Sequence, residues 1–406
     1  MNEISETISE ASNETGNETG TPAECALRAR GVNPFRVLTV LDRAAELERT
    51  GRKIVHMGAG EPDFATCAPI REAAKRALDA GITQYTQAPG IPELRDALVG
   101  HYRQRHGLEL PRERILITLG ASGGLAILSH LLLRAGAGVL LTDPSYPCYR
   151  NLARLAGAEP QLMPVGVEEN FLPSIELLEK HRRDHTAGLW LASPGNPTGA
   201  VISRPHLRAI SDWADANGAH LLLDETYHGL HFTDDMPSIL ELNPRAFVVN
   251  SFSKYFGMTG WRLGWIVVPE EQVEAANILA QNLFISPSSF AQHAALAAFT
   301  PAAREIFEQR RAAFRQRRDY VAAELTALGM LLPREIQGAF YAYANISAFS
   351  RDSEAFCREL LEDHGVAITP GTDFGEINGN EYVRMAFTTG MDDLRLGVER
   401  LRRALA

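Results

Sequence analysis

Lysine is scarce in this chain: four lysines stand against thirty-six arginines among 406 residues. Cysteine is equally sparse. Cys25, Cys67, Cys148 and Cys357 lie far apart with no Cys-x-x-Cys pair, so no disulfide framework is expected and a reducing, cytoplasmic location is the default. No apolar run approaches the ~18–20 residues that span a bilayer, which argues against a membrane partner. A basic surplus is missing as well, and the net charge of −10 argues against nucleic-acid binding. Neither Gly-x-Gly-x-x-Gly nor a P-loop with its lysine is present, so the nicotinamide and nucleotide readings lose ground. No metal is expected.

What is present is a 45% hydrophobic composition, enough for a large core and more than one domain. Residues 1–20 hold five glutamates and no basic residue, the composition of a disordered acidic tail. Beyond it, helical patterns cover 37–47, 69–80, 92–106 and 125–133, and apolar strand-like runs recur at 53–57, 114–118, 138–141, 188–191, 220–223, 246–250 and 263–268. That alternation predicts an α/β domain with a largely parallel sheet. Residues 270–330 read as a long helical connector. A final segment with strands at 339–343 and 382–387 and helices at 353–364 and 392–405 reads as a smaller α+β unit.

Three of the four lysines, Lys53, Lys75 and Lys180, sit among charges and read as solvated. Lys254 instead follows a strand and is flanked by serines, aromatics and glycines, a partly apolar setting that favours a neutral, nucleophilic amine. A lysine snorkelling at a strand end is the plainer alternative. The turn Gly120-Ala121-Ser122-Gly123-Gly124 joins a strand to a helix and could present N–H groups to a phosphate, or could simply allow close helix–strand packing. Asp224 follows three leucines, so its carboxylate needs a partner; Lys254, Arg262 or a protonated ring nitrogen would serve. Several strands end in polar residues. Ligands of open α/β sheets bind beyond the carboxyl ends of strands, so these residues converge if the strands share one sheet.

Eight motifs stand in order: GEPDF at 60–64, YTQAPGIPELR at 85–95, GASGGL at 120–125, PSYP at 144–147, SPGNPTG at 193–199, DETY at 224–227, SFSKYFGMTGWR at 251–262 and RMAF at 384–387. Together they resemble the class I/II, fold-type I aminotransferases that use pyridoxal 5′-phosphate, and aspartate-aminotransferase-like enzymes among them. The resemblance implies a large domain over 65–300 with a mostly parallel sheet of the seven-stranded type flanked by helices. It also implies a small α+β domain from 23–64 and 301–406, leaving the tail at 1–22. The implied activity moves an amino group between an L-amino acid and a 2-oxo acid in two half-reactions.

By the same resemblance, Lys254 would form a Schiff base with the cofactor aldehyde and then carry the substrate proton. Asp224 would keep the ring nitrogen protonated, Tyr227 and Asn196 would bind the phenolic oxygen, and Tyr146 would stack on the ring. Ala121, Ser122, Gly123, Ser251, Ser253 and Arg262 would hold the phosphate, and Arg384 the substrate carboxylate, over which Gly60 closes. The tyrosine matching Tyr85 reaches the neighbouring site in the family, which implies a homodimer. Aspartate-specific relatives carry a basic residue where this chain has Ser122, so a neutral or apolar donor is expected, with Phe35, Tyr146, Phe284 and Phe340 as candidate walls. Arg30 and Arg36 are the remaining candidates for a further cation. A β-lyase or decarboxylase on the same fold, and a sensing domain that binds the cofactor without turnover, are the alternatives. For the latter, residues 1–30 are too short and acidic to supply a DNA-binding domain.

Overall fold

The computed structural model describes residues 31–406; the tail expected over 1–22, Cys25 and Arg30 lie outside them. The described chain opens with α1 (Arg36–Arg49), β1 (Val55–His56), α2 (Ala68–Asp79) and α3 (Pro92–His106). Prolines in the first turns of α2 and α3 cost nothing there, because those N–H groups have no partner inside the helix. There follow β2 (Ile115–Thr118), α4 (Gly120–Leu132), β3 (Gly138–Asp143), α5 (Pro147–Leu155), β4 (Glu159–Pro164), α6 (Ile175–His181) and β5 (Thr186–Ala192). Next come α7 (Arg204–Ala216), β6 (His220–Asp224), β7 (Phe247–Ser251) and β8 (Gly264–Val267).

These strands form one seven-stranded sheet in the order β2-β8-β7-β6-β5-β3-β4. All neighbours pair in parallel except β8, which runs antiparallel to both β2 and β7. Both faces are covered, so the strands read as continuous apolar runs rather than alternating ones. Leu189, Leu221, Leu223 and Val248 enter one core while Trp190, Leu222, Val249 and Ile266 enter the other. The sequence pattern did not reveal β4, whose EPQLMP run holds two prolines. It is tolerated because β4 is the edge strand, where a missing N–H breaks no ladder on the open side.

The expected connector is three helices: α8 (Val273–Phe284), α9 (Ser289–Ala295) and α10 (Pro301–Ala327). Ile285, with φ 66°, ends the first. The Thr300 hydroxyl accepts from Ala303 N and starts the last. The chain closes with β9 (Tyr341–Asn345), α11 (Ser353–Glu362), β10 (Val366–Ala367), β11 (Thr369–Pro370), β12 (Tyr382–Ala386) and α12 (Met391–Ala404). Here β12 is the middle strand of an antiparallel β11-β12-β9 sheet, and β10 pairs in parallel with β1 from the far end of the chain.

Candidate active site

A cleft of about 800 Å³ lies at the carboxyl edge of the large sheet, beneath the small one. The topology explains why it is polar. Parallel strands β3, β5, β6 and β7 all end here and deliver Tyr146, Asn196, Asp224, Tyr227, Ser251, Ser253 and Lys254 to one rim. Because β8 runs the other way, it begins at this rim, and so Arg262, two residues before it, belongs to the same cleft.

One end of the cleft is an anion site in its chemistry. Helix α4 starts at Gly120 with no side chain capping it, so its first N–H groups are left for a ligand, at the positive end of the helix dipole. Ala121 and Ser122 line the cleft beside Ser251, Ser253 and Arg262. Gly120 has φ 69°, and a Cβ built there would fall 2.6 Å from Arg262 Nη2, so glycine is what lets the guanidinium lie against the turn. The Arg262 Nη1 donates to Thr259 O at 2.9 Å, and the Ser251 and Ser253 hydroxyls are 2.9 Å apart. Gly123 is already buried in α4, its N–H bonded to Leu119 O at 3.3 Å, and it does not line the cleft.

At the centre lie Asp224 and Lys254. Asp224 is buried, and burial pushes its carboxyl up; the Thr226 and Tyr149 hydrogen bonds and the Lys254 charge oppose that. Tyr149 Oη donates to its Oδ2 at 2.7 Å and Thr226 N to its Oδ1 at 2.9 Å. Of the candidate partners, neither Lys254 nor Arg262 bonds to it; Tyr149 and Thr226 are its donors among the described residues. Tyr149 stands three positions after Tyr146, the N-cap of α5, and the two rings meet edge-on at 5.5 Å; that spacing was the signal available for it. Lys254 Nζ donates to Gly60 O at 2.6 Å. Burial, then the Arg384 and Arg262 charges, push its pKa down to about 8, against the opposing pull of Glu61 and Asp224.

The other end is built around Arg384, 4% exposed in the middle of β12. Its Nη1 donates to Asn196 Oδ1 at 3.0 Å and its Nη2 to Gly58 O at 2.7 Å, while its buried Nε has no partner among the described residues. The guanidinium lies over the rings of Tyr341 and Phe374, 4.3 and 4.5 Å from their centroids. Phe35, Val37, Leu38 and Leu41, on and just before α1, form an apolar wall, and the Asp373 carboxylate caps that helix at Arg36 N and Val37 N. Glu61, held by the Thr259 hydroxyl, adds a negative charge.

Of the expected walls, Phe35 and Tyr146 line the cleft. Phe340 is fully buried and Phe284 packs near Gly123, so neither does. Ala339, with φ 58°, precedes this stretch, and the side chain that reaches the cleft is the next one, Tyr341. Arg36 does not line the cleft; its Nε is paired with Glu354 at 2.6 Å. Tyr85 is 82% exposed and outside the cleft of this chain.

The profile of the family described as aminotransferase class I and II matches residues 52–401. A valine–pyruvate aminotransferase of Mycobacterium tuberculosis is 40% identical over 93% of this chain and 97% of its own. An aspartate aminotransferase of Pyrococcus horikoshii is 36% identical over 91% of this chain and 94% of its own. Among solved structures, a Mycobacterium tuberculosis aminotransferase superposes with a TM-score of 0.90 at 40% identity, over 94% of this chain and 98% of that one. The Thermus thermophilus aspartate aminotransferase with maleate gives 0.88 at 35% identity, over 93% and 98%. The chain belongs to the class I and II aminotransferase family. It is an aminotransferase that uses pyridoxal 5′-phosphate to move an amino group between an amino acid and a 2-oxo acid.

Proposed function

We propose that the cleft takes an L-amino acid with an uncharged side chain as donor, with Lys254 as the catalytic amine. The observation that carries this reading is how the charges of the lining divide. The uncapped start of α4, the serine hydroxyls and Arg262 fit a phosphate, and Asp224 fits a protonated ring nitrogen. The free Nε of Arg384, on a side chain that lies over two rings, fits a carboxylate. Among the described residues that leaves no cation in the lining for a second carboxylate. What remains is an apolar wall from α1 and the negative Glu61.

Bound there, pyridoxal phosphate supplies a carbonyl for the amino group and a ring that accepts the electron pair left when the substrate α-proton departs. The protein residues do the rest. Lys254, pushed down to about 8, is more often neutral near physiological pH than an ordinary lysine, so it can attack a carbonyl and later carry a proton. Its neutral fraction rises as pH passes through that value. Asp224 would hold a positive charge at the ring nitrogen, its carboxylate oriented by Tyr149 and Thr226. Asn196 gives its Oδ1 to Arg384, which leaves its amide N–H groups to donate to the phenolic oxygen beside Tyr227.

In this reading residues 65–300 form the cofactor-binding domain, and 23–64 with 301–406 the small domain. Two copies are proposed to associate through the surface where Ile278, Leu283, Ile285 and Phe290 are exposed. The Tyr85 loop packs beside it, Gln292 Nε2 donating to Thr86 Oγ1 at 3.0 Å, so Tyr85 would reach the neighbouring site. A cytoplasmic location is proposed; no helix among the described residues is long and apolar enough to cross a membrane.

A buried, unpaired carboxylate costs on the order of several kcal/mol. We therefore expect kcat/KM for valine, alanine or methionine to exceed that for aspartate by roughly 10²-fold. The relatives include both a valine–pyruvate and an aspartate enzyme, so initial rates with pyruvate and 2-oxoglutarate as acceptors decide between them. A preference for aspartate would overturn the donor assignment.

A further inference from the structure

Tyr341 touches Tyr227, Arg384 and the Gly60 segment at one end of the cleft, and it is only 1% exposed. Its hydroxyl lies 2.8 Å from the Tyr227 hydroxyl, its only hydrogen-bond partner among the described residues. The Arg384 guanidinium lies 4.3 Å above its ring. The hydroxyl also occupies the space beside Gly60 where a Cβ would stand, so the segment whose carbonyl receives Lys254 rests on Tyr341. A hydroxyl pair can point either way. If Tyr227 donates to Tyr341, the Tyr341 proton has no acceptor among the described residues and Tyr227 has none left for a ligand. If Tyr341 donates, its proton is satisfied and the Tyr227 proton is free, and a donor that itself accepts a hydrogen bond is strengthened.

We infer that Tyr341 is a positioning residue for the reaction: its hydroxyl donates to Tyr227, freeing the Tyr227 proton for the cofactor's phenolic oxygen, and its ring supports Arg384 against the substrate carboxylate. This rests on the roles proposed above for Tyr227 and Arg384. The two halves of the inference separate by variant. Tyr341→Phe removes the hydroxyl and keeps the ring; Tyr341→Leu removes both.

The test follows the visible absorbance of the holoenzyme as a function of pH. A stronger donor at the phenolic oxygen favours its ionised form and lowers the titration midpoint. Tyr227→Phe should therefore raise the midpoint, and Tyr341→Phe should raise it less, by about half a unit. Because Tyr341 acts through Tyr227, adding Tyr341→Phe to Tyr227→Phe should move it no further. Tyr341→Phe should leave KM for the donor within about twofold, whereas Tyr341→Leu should raise it about fivefold or more. Should the leucine variant fail to fold, Tyr341→Met, which also lacks the ring, reads the same loss. If Tyr227→Phe leaves the midpoint unmoved, the underlying site reading fails and the inference with it. If Tyr227→Phe moves it and Tyr341→Phe does not, or if the two shifts add, the inference alone is overturned. An unchanged KM in the variant lacking the ring overturns its second half.

Discussion

The anion end of the cleft is assembled from two short stretches, residues 120–122 and 251–262, and its side-chain bonds are local: Ser251 bonds to Ser253 two residues on, and Arg262 to Thr259 three residues back. The end around Arg384 is assembled across the chain, with Gly58 lying 326 positions away, Asn196 188 positions away, and Tyr227 114 positions from Tyr341. The first is a local device, in which a strand end, a turn and a helix start place several donors together and backbone N–H groups share the load. The second concentrates its function in one guanidinium, held by two rings and two carbonyl-type oxygens from elsewhere. Loss should therefore be graded at the first end and abrupt at the second.

Asp224, which sits between the two, carries the largest expected effect. Asp224→Asn keeps shape but cannot hold the ring proton, and should lower kcat on the order of 10³-fold while cofactor still binds. Turnover like that of the parent would make Asp224 a structural acceptor for Tyr149 and Thr226 only. At the far end, Arg384→Lys should cost roughly 10²-fold in kcat/KM, mostly through KM and for every donor alike, because a point charge cannot copy the planar fork. A loss confined to one donor would mean that Arg384 reads the side chain instead.

A smaller change should sharpen the substrate side of the comparison. Leu38 is 56% exposed and lines the cleft, so Leu38→Arg supplies a further cation that the lining lacks among the described residues. We expect kcat/KM for aspartate to rise about tenfold while that for valine falls, measured as paired initial rates. No change in the ratio would place the substrate side chain elsewhere. Smallest of all should be Ser122→Ala: the backbone donors of α4 and Arg262 remain, so cofactor affinity should fall less than about tenfold by equilibrium titration. A larger loss would show that the local end also depends on single side chains.

This difference is also what made the sequence readable in one place and opaque in another. Strand runs ending in serine, aspartate, asparagine and lysine mark the sheet edge directly, and once the strands share one sheet their ends must converge. Arg384 was legible as a charge inside an apolar strand. Its partners were not, since which ring faces it depends on the pairing of β12 with β9 and on the positive φ at Ala339. That backbone detail put Tyr341 in the cleft and Phe340 in the core. Tyr149 was missed for a simpler reason: α5 is only nine residues long, and Asp224, which Tyr149 meets, lies 75 positions away. The helix α1 and the wall residue Phe35 were legible in the sequence, but the part of Val37, Leu38 and Leu41 was not, since Asp373, far along the chain, caps the start of that helix.

The most direct test of the account is where the cofactor is attached. Borohydride reduction of the yellow holoenzyme, followed by peptide mapping, should place the pyridoxyl group on Lys254, the half-buried amine at the cleft centre. A label on Lys53, Lys75 or Lys180 would contradict it.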